Sequence, residues 1–257
     1  MVEAAQIKSG NAVLAAEIAG AGAPVIFLHA AVADRRMWRD AAARIATTHR
    51  TIAYDRRGFG ETTAQVEDHS AITDLAAVID AQAGGRKPVL VGCSQGGRIV
   101  IDAALRFPER LRGLVLIAPS VTGGPDPVYP PDIAKLVAIQ PASIELKARL
   151  WLDGPLADEN RVSGAARATF VAMNEAIRPV GKDIDVAPNY DRLAGIALPT
   201  LVLCGDLDFP HIQARCRHLA ATIPHAELRM LPDLAHLPSL ENPDAVARPL
   251  AEFLAAR

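Results

Sequence analysis

Five short, almost unbroken apolar runs punctuate this 257-residue chain: Pro24 to His29, Thr51 to Asp55, Pro88 to Cys93, Gly113 to Ala118 and Pro199 to Cys204. A strand with one wet face alternates apolar and polar residues, whereas a strand apolar throughout is covered on both faces. Helical spacing fills the stretches at about 34 to 48, 70 to 83, 95 to 107 and 210 to 222. Strand and helix in alternation predict an α/β protein with a mostly parallel, doubly wound sheet. The segment at about 11 to 18 is short and lies in turn-rich sequence, which predicts an antiparallel edge strand. A further strand is expected at AELRML, and a last helix from Asn242-Pro243, a capping residue followed by proline at the first helical position. Pro249, inside that helix, predicts a kink.

The alternation stops between about 120 and 195. Pro and Gly cluster in TGGPDPVYPPD, and helical stretches follow at Ile144 to Leu152 and Ala165 to Ile177. This predicts a core made of residues 1–119 and 198–257, with residues 120–197 inserted as a helical cap. The alternative is that these helices belong to one face of the sheet. No internal repeat or low-complexity tract is present.

Half the residues are apolar, enough to bury a substantial core in one domain or at most two. With 27 Lys+Arg against 29 Asp+Glu, the net charge of -2 provides no field for nucleic acid or an anionic membrane. No apolar run reaches the roughly 18 to 20 residues a bilayer requires, and MVEAAQIKSG lacks a basic segment followed by an apolar one. Cys93, Cys204 and Cys216 are an odd number, far apart and without a CxxC pair, which argues against a disulfide framework and a zinc site. A soluble, cytoplasmic protein is the expectation. Its oligomeric state is not legible.

The chemistry concentrates at Gly92-Cys93-Ser94-Gln95-Gly96-Gly97, between the PVLV run and the helical RIVIDAALRF. A residue on so sharp a strand-to-helix turn needs neighbours without side chains, which Gly92 and Gly96 provide. It presents the Ser94 hydroxyl above the sheet beside a helix N-terminus, where free N–H groups favour developing negative charge. A serine hydroxyl attacks poorly at neutral pH without a base, and the base needs a group to orient it. Among seven histidines, His236 is singled out by its loop, Pro232 to Pro238, after a strand and before the last helix. His49, His69, His211, His218 and His225 are expected at the surface. Asp206 and Asp208, in the loop after PTLVLC, are the candidate acids. Asp208 is favoured because a helix opens just behind it, and Asp233 is a third choice. Cys93 is expected to pack beneath the turn as a small apolar residue.

On these residues the chain resembles the α/β-hydrolase family, in its serine-nucleophile esterase and lactonase branch, which includes 3-oxoadipate enol-lactonases. Ser94, Asp208 and His236 follow the family's order of nucleophile, acid and base, with separations of 114 and 28 residues. Further matches are FLH before Ala30-Ala31, Trp38, the string Tyr54 to Gly60 (YDRRGFG), and Phe107 to Arg110. The family's G-x-x-D places Gly205 three residues before Asp208. The resemblance covers roughly residues 10 to 118 and 198 to 256, and the insertion has no counterpart we could name.

The resemblance implies an oxyanion hole from the backbone N–H groups of Gln95 and Ala31. Ala30 stands where glycine is usual, so a positive φ there would be strained. It makes His29 a structural loop residue, and Arg56 and Arg57 are expected to hold the loop after their strand. The implied reaction is hydrolysis of a carboxylic ester or lactone through an acyl-enzyme, without metal or organic cofactor. Carbon-carbon bond hydrolysis and cofactor-free perhydrolysis remain open on the same residues. A small-molecule receptor on this fold is the alternative of another class. Trp38, Trp151, Phe170, Met173 and Phe209 are the candidates for a substrate pocket, and aromatic scarcity (4%) makes the four aromatics among them conspicuous. Together they imply a small, mainly apolar substrate.

Overall fold

The computed structural model describes residues 1–256. Eight strands form one sheet: β1 (Val2–Ser9), β2 (Ala12–Ala19), β3 (Pro24–Leu28), β4 (Arg50–Tyr54), β5 (Val89–Cys93), β6 (Gly113–Ile117), β7 (Thr200–Gly205) and β8 (Ala226–Leu231). Their spatial order is β1-β2-β4-β3-β5-β6-β7-β8. From β4 to β8 all pairings are parallel, while β2 runs antiparallel to both β1 and β4. The segment expected as an edge is therefore one strand inside it. The true edge is β1, whose first residues VEAA are mostly exposed and lack the apolar run that marks the buried strands.

Crossover helices cover both faces: α1 (Arg39–Ile45), α2 (Ala71–Gln82) and α3 (Gln95–Arg106), and later α7 (Pro210–Thr222), α8 (Pro238–Glu241) and α9 (Pro243–Ala255). Adjacent strand residues point to opposite faces. Ile26, Leu28, Leu90 and Leu114 accordingly enter a core with residues of α2, α3 and α7. Val25, Phe27, Val91 and Val115 enter a second core with residues of α1 and α9. The Asn242 side chain accepts from the Ala245 N–H to cap α9, which carries Pro249 inside it.

Between β6 and β7 lie α4 (Pro131–Val137), α5 (Ile144–Ala148), a π-helical turn (Arg149–Asp153) and α6 (Gly164–Glu175), with no strand of the sheet. This segment is tied to the rest by specific bonds. Asn174 Nδ2 donates to the Val32 carbonyl at 2.9 Å, Arg36 to the Ala172 carbonyl at 3.2 Å, and Arg98 pairs with Asp183 at 2.6 Å. Among the described residues, no helix is long and apolar enough to cross a membrane.

The sheet order locates the site. After β3 the chain adds β4 on one side, then crosses back to place β5 on the other, so the connections diverge between β3 and β5. A crevice at the carboxyl ends of the strands opens where connections diverge in this way. Leu28 and Gly92 are the last paired residues there, and the loops carrying Ala31 and Ser94 leave the sheet immediately beyond them.

Candidate active site

Ser94 occupies the turn between β5 and α3 with φ 52° and ψ −117°, a conformation that costs a non-glycine residue of order 1–3 kcal/mol. The surroundings hold it there: its N–H donates to the Ile117 carbonyl at 3.0 Å, and its own carbonyl accepts from Arg98 and Ser120. A Cβ at Gly92 would come 2.5 Å from the Gly96 carbonyl oxygen, and one at Gly96 would overlap the Leu28 carbonyl. Both glycines are thus required by the close approach of backbone to backbone.

His236 is buried, in the loop after β8. Its Nδ1 lies 2.8 Å from Asp208 Oδ2, while its Nε2 is buried with no partner. The other Asp208 oxygen accepts from the Phe209 N–H at 2.7 Å, which orients the carboxylate. Asp206, the competing acid, instead accepts from the Asp233 N–H at 2.8 Å and ties the histidine loop to the end of β7.

That loop is held from the opposite side by Glu241, whose carboxylate accepts from the N–H groups of Ala235 and Leu237, directly flanking His236. Arg161 pairs with the same carboxylate. Burial raises Glu241 above the usual carboxylate range, opposed by Arg161 and these amides. Neither residue was anticipated. Their spacing in the chain, one before β7 and one in α8, carries no signal that they meet.

Ser94, His236, Ala31, Gln95 and Trp151 line one cavity of about 350 Å³. Gln95 is the first residue of α3, where a helix leaves its N–H groups without intrahelical partners. Ala30 is not at positive φ, so alanine at the usual glycine position carries no backbone strain. His29 is buried, with Nδ1 2.8 Å from the Ala30 carbonyl and Nε2 accepting from the Arg56 N–H at 3.0 Å. Burial, then the Arg56 charge, lowers its pKa well below that of an ordinary histidine, so it is a neutral strut in the loop.

Of the five residues expected around a substrate, only Trp151 lines this cavity. Its ring centroid is 4.7 Å from that of His236 and 4.9 Å from that of Phe209. Phe209 is fully buried and stands behind Trp151. Trp38, Phe170 and Met173 are fully buried in the core shared with α1 and α9, Trp38 against Phe27 at 5.3 Å and Met173 accepting the Asp34 N–H through its sulfur. They belong to packing because an aromatic or Met residue is as useful to a core as to a pocket.

Gly154, at φ 94°, follows the π-helical turn that carries Trp151, and a Cβ there would come 2.7 Å from both Ala235 and the Leu207 carbonyl. The glycine lets that turn press against the loops of Asp208 and His236. Cys93 is buried beside them, its thiol 3.5 Å from the His236 carbonyl, and burial raises its pKa well above the ordinary thiol value. It packs there as a neutral thiol. Arg57 bonds Asp74 at 2.9 Å, Glu67 at 3.1 Å and the Ser9 carbonyl at 2.8 Å, a structural clasp. His211 is not a free surface residue: it meets Tyr129 edge-on and Phe209 at a tilt, and burial, then Arg215, lowers its pKa to about 4.

Known proteins resemble this chain in sequence or in structure. A 2-hydroxymuconate semialdehyde hydrolase of Pseudomonas putida is 29% identical over 229 residues, covering 82% of this chain and 79% of the relative. A thermophilic esterase of Thermogutta terrifontis, solved with malate bound, superposes with a TM-score of 0.76 at 25% identity, covering 99% of this chain and 98% of that one. A structure described as an N-acyl homoserine lactone degrading enzyme superposes at 0.78 with 26% identity, covering 97% of this chain and all of the other. Residues 25–248 match the alpha/beta hydrolase family as a whole, and with this sheet order and crevice the chain belongs to that family.

Proposed function

We propose that the protein hydrolyses small, mainly apolar carboxylic esters or lactones through an acyl-enzyme formed on Ser94. The observation carrying this reading is the division of labour on one imidazole: Asp208 occupies Nδ1, while Nε2 is buried and unpartnered in a residue that lines the cavity of Ser94. A carboxylate on Nδ1 holds the tautomer in which Nε2 can accept a proton.

In this scheme the Ser94 Oγ attacks the carbonyl carbon as His236 Nε2 takes its proton. The oxyanion is held by the N–H groups of Gln95 and Ala31, at the rim where β5 and β3 end. The tetrahedral intermediate collapses, the bond to the alcohol oxygen breaks, and His236 returns the proton to it. Water, deprotonated by the same nitrogen, then releases the acid and restores Ser94. Trp151 provides an apolar wall beside the imidazole, and residues 120–197 act as the cap over the site. The esterase and the lactone-degrading enzyme among the similar structures support this choice of substrate class. Three unpaired, buried cysteines accord with a reducing, cytoplasmic setting.

The test is release of p-nitrophenolate from p-nitrophenyl acetate by the wild type and by Ser94→Ala. The expected loss in kcat is roughly a million-fold. Equal rates for the two proteins would overturn the reading.

A further inference from the structure

Beside the Ser94 cavity lies a second one of about 310 Å³, which shares Ala31 and Gln95 with it as lining residues. Three of its other lining residues each carry a buried polar atom with no partner: Tyr54 Oη, Arg56 Nε and His69 Nδ1. Buried polar groups are nearly always satisfied, so three orphans around one cavity call for a ligand group or ordered water.

The character of that group follows from charge. Two carboxylates also line the cavity, but each is already held: Asp74 by Arg57, and Asp183 by Arg98 at 2.6 Å and the Ala71 N–H at 3.2 Å. Arg56 differs from both of these arginines. It is 8% exposed, and among the described residues it has no ion pair. Its guanidinium donates to two neutral oxygens, Gln95 Oε1 at 2.8 Å and the Ala30 carbonyl at 3.2 Å, and stacks over Phe59 at 4.7 Å. Burial, then the Arg98 charge, lowers it to about 10, opposed by Tyr54 and by the carboxylates of Asp183 and Asp55, which lie beyond ion-pair distance. A buried cation left unpaired is costly. Tyr54 and Arg56 both offer donors, and His69 offers one in its Nδ1–H tautomer. An acceptor of negative charge satisfies all of them.

We propose that this cavity is a carboxylate subsite, held by Arg56 with Tyr54 and His69, and that the substrates are small esters or lactones bearing a carboxylate. The proposal rests on the reading of Ser94 as the nucleophile, because it places the reacting carbonyl in the adjoining cavity. The acyl chain runs past Ala31 and Gln95, with its apolar part toward Trp151 and its charged end on Arg56. Because Arg56 also holds the Gln95 side chain, occupation of the subsite bears on the residue that supplies one oxyanion N–H.

The test separates binding from turnover. In the catalytically inert Ser94→Ala protein, calorimetry measures the affinity of the monomethyl esters of succinic, glutaric and adipic acids against the matching dimethyl esters. At least one monoester is expected to bind roughly ten- to a hundredfold more tightly than its dimethyl counterpart, the scale of a hydrogen-bonded charge. Tyr54→Phe, which removes only the orphan hydroxyl, and Arg56→Gln are each expected to erase most of that preference. Equal affinities for every pair, no binding of any monoester, or a preference that survives both substitutions would overturn the subsite. Failure of the Ser94 reading shows separately, as p-nitrophenyl acetate turnover insensitive to Ser94→Ala.

Discussion

Gly205 lies directly beneath the Leu234 carbonyl, so close that a Cβ at position 205 would overlap that oxygen and crowd the Ala235 carbonyl next to it. One glycine at the end of β7 thereby sets how closely the His236 loop packs on the strand that leads to Asp208. Gly205→Ala must push the two loops apart. It is expected to cost about 1–3 kcal/mol of stability, the scale of overpacking, and to lower the proposed hydrolysis of p-nitrophenyl acetate beyond what lost stability explains. Denaturant unfolding at 25 °C, with activity per folded molecule, checks this. Unchanged values would show that the loops yield.

Ser94 is held at positive φ for the sake of its position. Replacing it with glycine releases strain of about 1–3 kcal/mol, offset by the roughly 0.5–1 kcal/mol glycine costs in chain entropy. Ser94→Gly is therefore expected to be more stable than the wild type by about 1 kcal/mol and to lose hydrolysis. Thermal or denaturant unfolding of Ser94→Gly beside Ser94→Ala distinguishes backbone strain from the loss of the hydroxyl.

Asp208→Asn retains the shape of the carboxylate but presents an N–H or a neutral oxygen to His236 Nδ1. In related triads this change lowers kcat by about 10⁴ through the wrong tautomer. The same substitution at Asp206, which only anchors the Asp233 N–H, is expected to leave kcat within about tenfold. Steady-state kinetics on one ester decides between the two aspartates. Equal losses would mean that loop geometry, not the imidazole partner, dominates.

His29 and His211 titrate below an ordinary histidine, His29 through burial and then Arg56, and His211, at about 4, through burial and then Arg215. Each is a base whose charged form the folded state disfavours. Their contribution is complete above about pH 6.5 and is lost as the unfolded chain takes up protons below it, through pH 4 for His211. Urea midpoints measured from pH 7.5 to 4.5 are expected to fall less steeply in His211→Gln than in the wild type. Parallel profiles would refute the assignment.

The strands between Pro24 and Cys204, the turn at Ser94 and the helix behind it were legible because each is a local pattern: continuous apolarity, glycine where backbones touch, proline at a helix start. The strand β1 was not, because an edge strand with a wet face leaves little apolar signature. Three of the expected pocket residues were misplaced for a similar reason. Trp38, Phe170 and Met173 read like Trp151 in sequence, and only burial separates them.

The amino-acid sequence by itself determined the class of fold, the serine at its turn, and the order in which a carboxylate and an imidazole follow it. The sequence favoured Asp208 over Asp206, and only the tertiary structure showed that it meets the imidazole, that Glu241 and Arg161 brace its loop, and that Arg56, unlike its neighbour Arg57, makes no ion pair. The physical reason is range. Backbone sterics and apolar periodicity act over a few residues and are written in the order of the chain, whereas hydrogen bonds and charge pairs depend on which distant loops the sheet order brings to one rim.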